Sequence, residues 1–287
     1  MNLLVFGAGG FIGRHFTKIL VKYKYKYKYF LVYRSQKFSV KKNIIYMDLS
    51  NKNHFKNLIK KNFNIDVIYN FAWFAIQNLN KKNSIINFKI NKNIINYAND
   101  INCKKLIITG SCFEYGDVKG EIRENNKEKN VKIFGYYKKL IKKYTFKNFK
   151  NTKIWTRLFY VYGPQQKSKS LIPSIISHIR YKKKFVCRRP FDELDYIYIE
   201  DVCKIFIKLL SIKKSCVINI SSNKYTKNFQ ILKIFKSIFK DRFIYELDKK
   251  QKKIKKFKGN NAKVGLLGFK SFTNIKTGIE KILYEKN

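Results

Sequence analysis

The stretch GAGGFIG (7–13) carries the first chemistry in the chain. It follows the apolar run NLLVF (2–6) and opens FIGRHFTKILV (11–21), whose apolar residues recur at helical spacing. At such a junction Gly7 permits a tight turn, Gly10 lets backbone amides approach a pyrophosphate, and Gly13 allows close packing of helix on strand. The helix start adds free N–H groups and the positive end of the helix dipole. That chemistry grips the phosphates of a dinucleotide. About twenty residues past the last glycine, folds that prefer NAD carry an acid for the ribose hydroxyls. Here the strand ends in VYRSQ (32–36), without a carboxylate. Arg34 and Ser35 suit a 2′-phosphate instead, because a guanidinium pairs well with phosphate oxygens. NADP is therefore favoured over NAD.

The elements that must position these residues read as alternating strands and helices. FLVY (30–33), NIIYM (43–47), DVIYNF (66–71), KLIITG (105–110) and KIWTRLF (153–159) are strand-like, with helical stretches near 51–61 and 83–100 and another opened by Phe134. This order implies an α/β fold, a doubly wound parallel sheet of the Rossmann type. The second half is more mixed. SLIPSIISHI (170–179) reads as a helix, DYIYIEDV (195–202) as a strand running into a helix near Glu200 and Asp201, and CVINI (216–220) as a strand, with helices near 228–240 and 274–285. We expect a Rossmann domain over 1–162 and a smaller α/β substrate lobe over 163–287. Part of about 195–221 should return to the Rossmann sheet.

The chain has 287 residues, enough for a large α/β domain with a smaller lobe, and its 45% hydrophobic content argues against global disorder. Sixty-three Lys and Arg against 18 Asp and Glu give a formal charge of +45. The basic residues run from end to end, beside abundant Asn, Ile, Phe and Tyr. That pattern reads as compositional bias, not a nucleic-acid site. The runs KYKYKYKY (22–29) and KKQKKIKKFK (249–258) read as solvated surface. No run of about 18 apolar residues offers a membrane span. Five cysteines without CxxC spacing suggest reduced thiols in a cytoplasmic protein. His15, His54 and His178 are scattered and form no metal or triad pattern.

Several stretches together resemble the extended short-chain dehydrogenase/reductase family, the NAD(P)-dependent epimerases and dehydratases of nucleotide sugars. The spacing of GAGGFIG is one. YMDLSN (46–51), DVIYNFAW (66–73), NFKINKNIINYA (87–98), ITGSCFEYG (108–116), RLFYVYGP (157–164), DYIYIEDV, and LLGF (266–269) with IKTGIEKIL (275–283) agree in order. One departure is Leu194, where an arginine is usual. The resemblance implies cofactor contacts from Gly7, Gly10, Phe11, Ile12, Gly13, Arg34, Asp48, Leu49, Phe71, Ala72 and Lys138. It also implies a nucleotide-diphosphate deoxysugar between the lobes, and a homodimer. Dehydratases of the family carry an Asp–Glu pair after the catalytic Ser or Thr. Here Cys112 and Phe113 follow Ser111, so the resemblance points to epimerases and 4-ketoreductases, which move hydride at C4.

The same resemblance exposes a gap. The family's Tyr-x-x-x-Lys pair puts both side chains on one helix face, one turn apart. The lysine holds the nicotinamide ribose, the tyrosine exchanges a proton with the sugar oxygen, and the serine bonds that oxygen. In FGYYKKL (134–140) the lysine is Lys138 and the tyrosine position is Phe134. A positioned proton donor is worth about 10²–10⁴ in rate. Three accounts stay open. Tyr137, one turn from Phe134, substitutes; Ser111 or water carries the proton; or the protein binds its ligands without turning them over.

Overall fold

The structure is a computed structural model and describes residues 1–76, 78–166 and 170–284. In chain order its first elements are β1 (Asn2–Phe6), α1 (Phe11–Lys22), β2 (Lys28–Arg34), β3 (Ser39–Lys41), β4 (Ile44–Met47), α2 (Lys52–Lys60), β5 (Val67–Asn70), α3 (Lys81–Asp100) and β6 (Lys105–Ser111). A short 3₁₀ turn (Cys112–Tyr115), β7 (Gly120–Ile122), α4 (Ile133–Asn148), β8 (Thr152–Leu158), β9 (Tyr160–Tyr162) and α5 (Leu171–Arg180) follow. Then come β10 (Phe185–Cys187), β11 (Glu193–Leu194), β12 (Tyr196–Tyr198), α6 (Ile199–Lys208), β13 (Cys216–Ile220), β14 (Thr226–Lys227) and α7 (Asn228–Phe239). The last are β15 (Tyr245–Leu247), β16 (Lys256–Gly259), α8 (Ala262–Leu266) and α9 (Ile275–Tyr284).

Eight strands form one sheet in the order β13-β8-β6-β5-β1-β2-β4-β3. The pairs β8–β6, β6–β5, β5–β1, β1–β2 and β2–β4 are parallel, and only the short edge strand β3 runs antiparallel among the pairs described. From β1 the chain builds outward through β2 and β4, then returns to build β5, β6 and β8 on the other side. The strand order therefore reverses between β1 and β5, the kind of switch point where such sheets bind ligands.

Chain contacts divide the molecule into two compact units. The first comprises Met1–Gly116, Glu128–Leu158 and Cys203–Ile218; the second comprises Asp117–Lys127, Phe159–Val202 and Asn219–Asn287. In the first unit, alternate residues of the buried strands serve opposite faces of the sheet. Leu4, Phe6, Ile68, Leu106 and Ile108 pack with Phe55, Leu58, Ile90, Ile94 and Ile141 from α2, α3 and α4. On the other face Phe16 of α1 meets Tyr69 at 4.5 Å and Phe71 at 5.2 Å, and Phe206 of α6 lies 4.8 Å from Phe71. The Tyr69 hydroxyl, buried there, donates to the Phe206 carbonyl at 2.9 Å. Helices cover both faces, as a doubly wound sheet requires.

In the second unit a four-stranded sheet has the order β14-β11-β16-β7, and β9 pairs with β12 in parallel. Asp195 is buried there and accepts hydrogen bonds from the Ser222 N–H (2.8 Å) and hydroxyl (2.7 Å) and from the Asn223 and Gly259 N–H groups (both 3.0 Å). Glu200 and Asp201 lie in the first turn of α6, where acids favour a helix start. Asp201 also accepts from the Thr273 N–H at 2.7 Å, and Glu200 pairs with Lys281 at 2.9 Å.

Both lysine-rich runs are mostly exposed, and each carries one buried aromatic. In the first, Tyr25 is 93% exposed, but Tyr27 is buried and Lys28 already pairs with Asn2 in the sheet. In the second, Phe257 is 1% exposed and sits in β16 between β11 and β7. The alternating side chains of a strand hid one buried aromatic among outward-facing lysines. All five cysteines are thiols outside any disulfide. Among the described residues no helix is long and apolar enough to cross a membrane.

Candidate active site

The glycine turn lies at the switch point. Gly7 has φ of +80°, which L side chains rarely adopt, and a Cβ there would come within 2.7 Å of the Ala72 nitrogen. A Cβ on Gly13 would fall on the Gly7 carbonyl oxygen. The Gly10 N–H donates to that carbonyl at 3.0 Å and closes the turn. No side chain caps α1, and no acid stands in its first turn. Helix geometry then leaves the N–H groups of Phe11, Ile12 and Gly13 without an intrahelical acceptor. A turn with glycine at three of its four residues, before an uncapped helix start, fits the pyrophosphate of a dinucleotide.

Arg34 closes β2 and stays exposed, its guanidinium carbon 5.0 Å from the centre of the Phe74 ring. Asp48 and Leu49 follow β4. The Asp48 carboxylate accepts from the Ser50 N–H and hydroxyl, both at 2.8 Å, and the Asp48 N–H donates to His54 Nδ1 at 2.9 Å. The Leu49 carbonyl accepts from the Asn93 amide at 3.1 Å. The Phe71 ring turns into the core against Phe16 and Phe206, so only its backbone borders the glycine turn.

An amide ladder that sequence reasoning missed fixes the loop after β5. The Asn70 amide donates to Asn91 at 2.8 Å, while its oxygen accepts from the Ala72 N–H at 3.0 Å. Asn91 donates to the Asn87 carbonyl at 2.8 Å. The Asn87 side chain accepts from the Phe74 N–H at 2.6 Å and donates to the Phe74 carbonyl at 2.9 Å. The available signal was the spacing of Asn83, Asn87 and Asn91, four apart and so on one face of α3.

Ser111 ends β6. Its hydroxyl accepts from the Phe113 N–H at 3.2 Å, and its own N–H donates to Glu114 at 2.8 Å, a capping box around the 3₁₀ turn. Glu114 is fully buried and was also missed. It accepts from Trp155 Nε1 at 2.9 Å and from Arg157 Nε at 3.0 Å, and the Arg157 guanidinium lies 4.2 Å over the Tyr115 ring. This carboxylate is fully engaged in holding the turn.

Lys138 lies on the buried side of α4. Its ammonium donates to the Thr109 carbonyl at 2.7 Å, two residues before Ser111, so both polar groups belong to the C-terminal end of β6. The Trp73 ring centre is 3.9 Å from the ammonium and the Phe134 ring centre 5.9 Å. Trp73 and Phe113 meet Phe134 edge-on at 5.2 and 5.8 Å, making an aromatic wall beside Lys138. Burial pushes the Lys138 ammonium down to about 7, against a smaller upward pull from Glu114. Tyr137 packs edge-on against Tyr136 at 5.7 Å. Among the described residues no hydrogen bond ties its hydroxyl to Ser111 or Lys138. No group of three or more His, Cys, Asp or Glu among the described residues could hold a metal ion.

The model of the NAD dependent epimerase/dehydratase family matches residues 3–221. The ADP-L-glycero-D-manno-heptose-6-epimerase of Brachyspira hyodysenteriae is 25% identical over 319 residues, covering 97% of this chain and 96% of that protein. Among solved structures, the UDP-glucose 4-epimerase of Thermotoga maritima with UDP-glucose has a TM-score of 0.83 at 18% identity, covering 98% of this chain and 97% of that one. The UDP-glucuronic acid 4-epimerase of Bacillus cereus in complex with NAD also scores 0.83, at 20% identity, over 99% and 100%. At such identities the structural likeness speaks to the fold.

Proposed function

The chain belongs to the NAD dependent epimerase/dehydratase family, and from that premise we propose that it moves hydride at C4 of a nucleotide-diphosphate (deoxy)sugar, as an epimerase or 4-ketoreductase, with NADP preferred to NAD. The observation that carries this reading is the junction of two features: a glycine turn built for a pyrophosphate, and a serine and a buried lysine together at the end of β6. When bound, the nicotinamide supplies or accepts the hydride. The turn and the start of α1 hold phosphates, and Arg34 takes the 2′-phosphate. The Ser111 hydroxyl holds the sugar oxygen, Lys138 the nicotinamide ribose, and Tyr137 is the candidate replacement hydroxyl. Elimination of water is disfavoured, because Cys112 and Phe113 carry no carboxyl and Glu114 is committed to Arg157. A cytoplasmic homodimer belongs to the same proposal.

The test is a fluorescence titration with NADPH and NADH at low ionic strength, followed by turnover assays at C4 of UDP-glucose. Tighter binding of NADPH and conversion of a sugar nucleotide are expected, and Phe134→Tyr should raise turnover about 10²–10⁴-fold. If neither dinucleotide binds, the reading is wrong. A second reading, a binding protein without turnover, is favoured by the wall of Trp73, Phe113 and Phe134 where a hydroxyl is expected. Tight dinucleotide binding without turnover, before and after Phe134→Tyr, selects it.

A further inference from the structure

Phe134 removes the proton donor, and the Lys138 ammonium, one turn on, lies 5.9 Å from the centre of its ring. Lys138 is 5% exposed. Among the described residues no carboxylate lies within ion-pair distance of it. Glu114, the nearest acid named in its surroundings, is already shared by Ser111, Trp155 and Arg157. An ammonium has three N–H donors. One goes to the Thr109 carbonyl, and the charge rests on the face of Trp73. Among the described residues the remaining donor capacity has no partner.

We propose that Lys138 itself, rather than Tyr137, whose ring packs against Tyr136 and whose hydroxyl is tied to neither Ser111 nor Lys138, exchanges the proton with the reacting sugar oxygen. This rests on the hydride-transfer reading above. In the reducing direction, hydride from the reduced dinucleotide forms the C–H bond at the carbonyl carbon. The C=O π pair moves to oxygen, and that oxygen takes a proton from Lys138 Nζ, leaving a neutral amine and an oxidised dinucleotide. In the oxidising direction the neutral amine takes the hydroxyl proton as hydride leaves carbon. A group poised near neutrality serves both directions, and burial without a counter-ion places this amine there. The charged group acting on it from a neighbouring element is Glu114 after β6, whose smaller pull favours the ammonium and which is itself paired with Arg157 of β8. One turn along α4 is Lys142, 3.9 Å from Glu128. The Trp73 face favours the charged form and limits how far the amine is pushed down.

Trp73 also makes the proton visible, because an ammonium 3.9 Å from an indole alters its emission and the chain has only two tryptophans. In the ligand-free protein, tryptophan emission should show a step with a midpoint near 7. The step should vanish in Lys138→Met, in Lys138→Arg, which stays charged throughout, and in Trp73→Phe. Turnover at C4 of UDP-glucose should titrate with the same midpoint. Lys138→Arg should lose about 10²–10⁴ in kcat while still binding NADPH. An emission step that survives both Lys138 variants overturns the proposal. So does turnover that ignores that midpoint in a protein that binds dinucleotide, which leaves the hydride-transfer reading intact. Failure to bind any dinucleotide removes that reading and this one together.

Discussion

Replacing Glu114 with alanine tests the buried network behind Ser111. The carboxylate accepts from three donors, the Ser111 N–H, the Trp155 indole and the Arg157 guanidinium, at 2.8 to 3.0 Å. Its removal strands two neutral buried donors, each worth about 1–3 kcal/mol, and an arginine side chain that is 2% exposed. Breaking a buried ion pair from one side typically costs about 3–5 kcal/mol. Glu128, 3.7 Å from Arg157, recovers part of that, and losses within one network do not add. The expected net loss is about 4 kcal/mol, a large share of an ordinary domain's roughly 5–15 kcal/mol. Glu114→Gln keeps acceptor geometry for the amide and indole donors and should lose about half as much. Urea unfolding followed by circular dichroism measures both. A Glu114→Ala loss under about 1 kcal/mol with an unchanged m-value would refute the idea that this carboxylate holds the turn.

Three further predictions follow from the same structure. Gly13→Ala, which drives a methyl onto the Gly7 carbonyl, should weaken dinucleotide binding at least about tenfold in a fluorescence titration, as α1 shifts off the turn. Arg34→Ala should weaken NADPH binding by roughly 1.5–3 kcal/mol, about 10- to 150-fold, and leave NADH nearly unchanged. Lys138 titrates below its unfolded value, so the folded state binds fewer protons than the unfolded chain between about 7 and 10.5, and stability rises with pH across that window. Lys138→Met should therefore stabilise the protein by about 4 kcal/mol at pH 7, a gain that fades as pH approaches 10.5 and is read by urea unfolding at several pH values.

Much of the first unit was legible because its signals are local. NLLVF and KLIITG are buried strands at the stated positions, and the turn between β1 and α1 needs glycine for steric reasons readable in one dimension. What stayed hidden depends on distant pairing. Glu114 looks like a surface acid until Trp155 and Arg157, about forty residues on, meet it from β8. The amide ladder joins Asn70 to α3 across 21 residues. Phe257 was lost in a lysine run because its partners, β7 and β11, are remote in sequence. Trp73 and Phe134 were each visible, but not their meeting over Lys138.

The central position of β16 bears on how the chain acquires its shape. It lies between β11 and β7, and pairs residues 257–259 with a strand at 120–122. Such long-range pairing closes late, because the intervening chain must first be brought together. During synthesis that small sheet waits until most of the polypeptide has left the ribosome, while the strands from β1 to β6 can already assemble. A chain stopped before residue 256 would leave β7 and β11 as bare edges seeking other partners, an opening for aggregation.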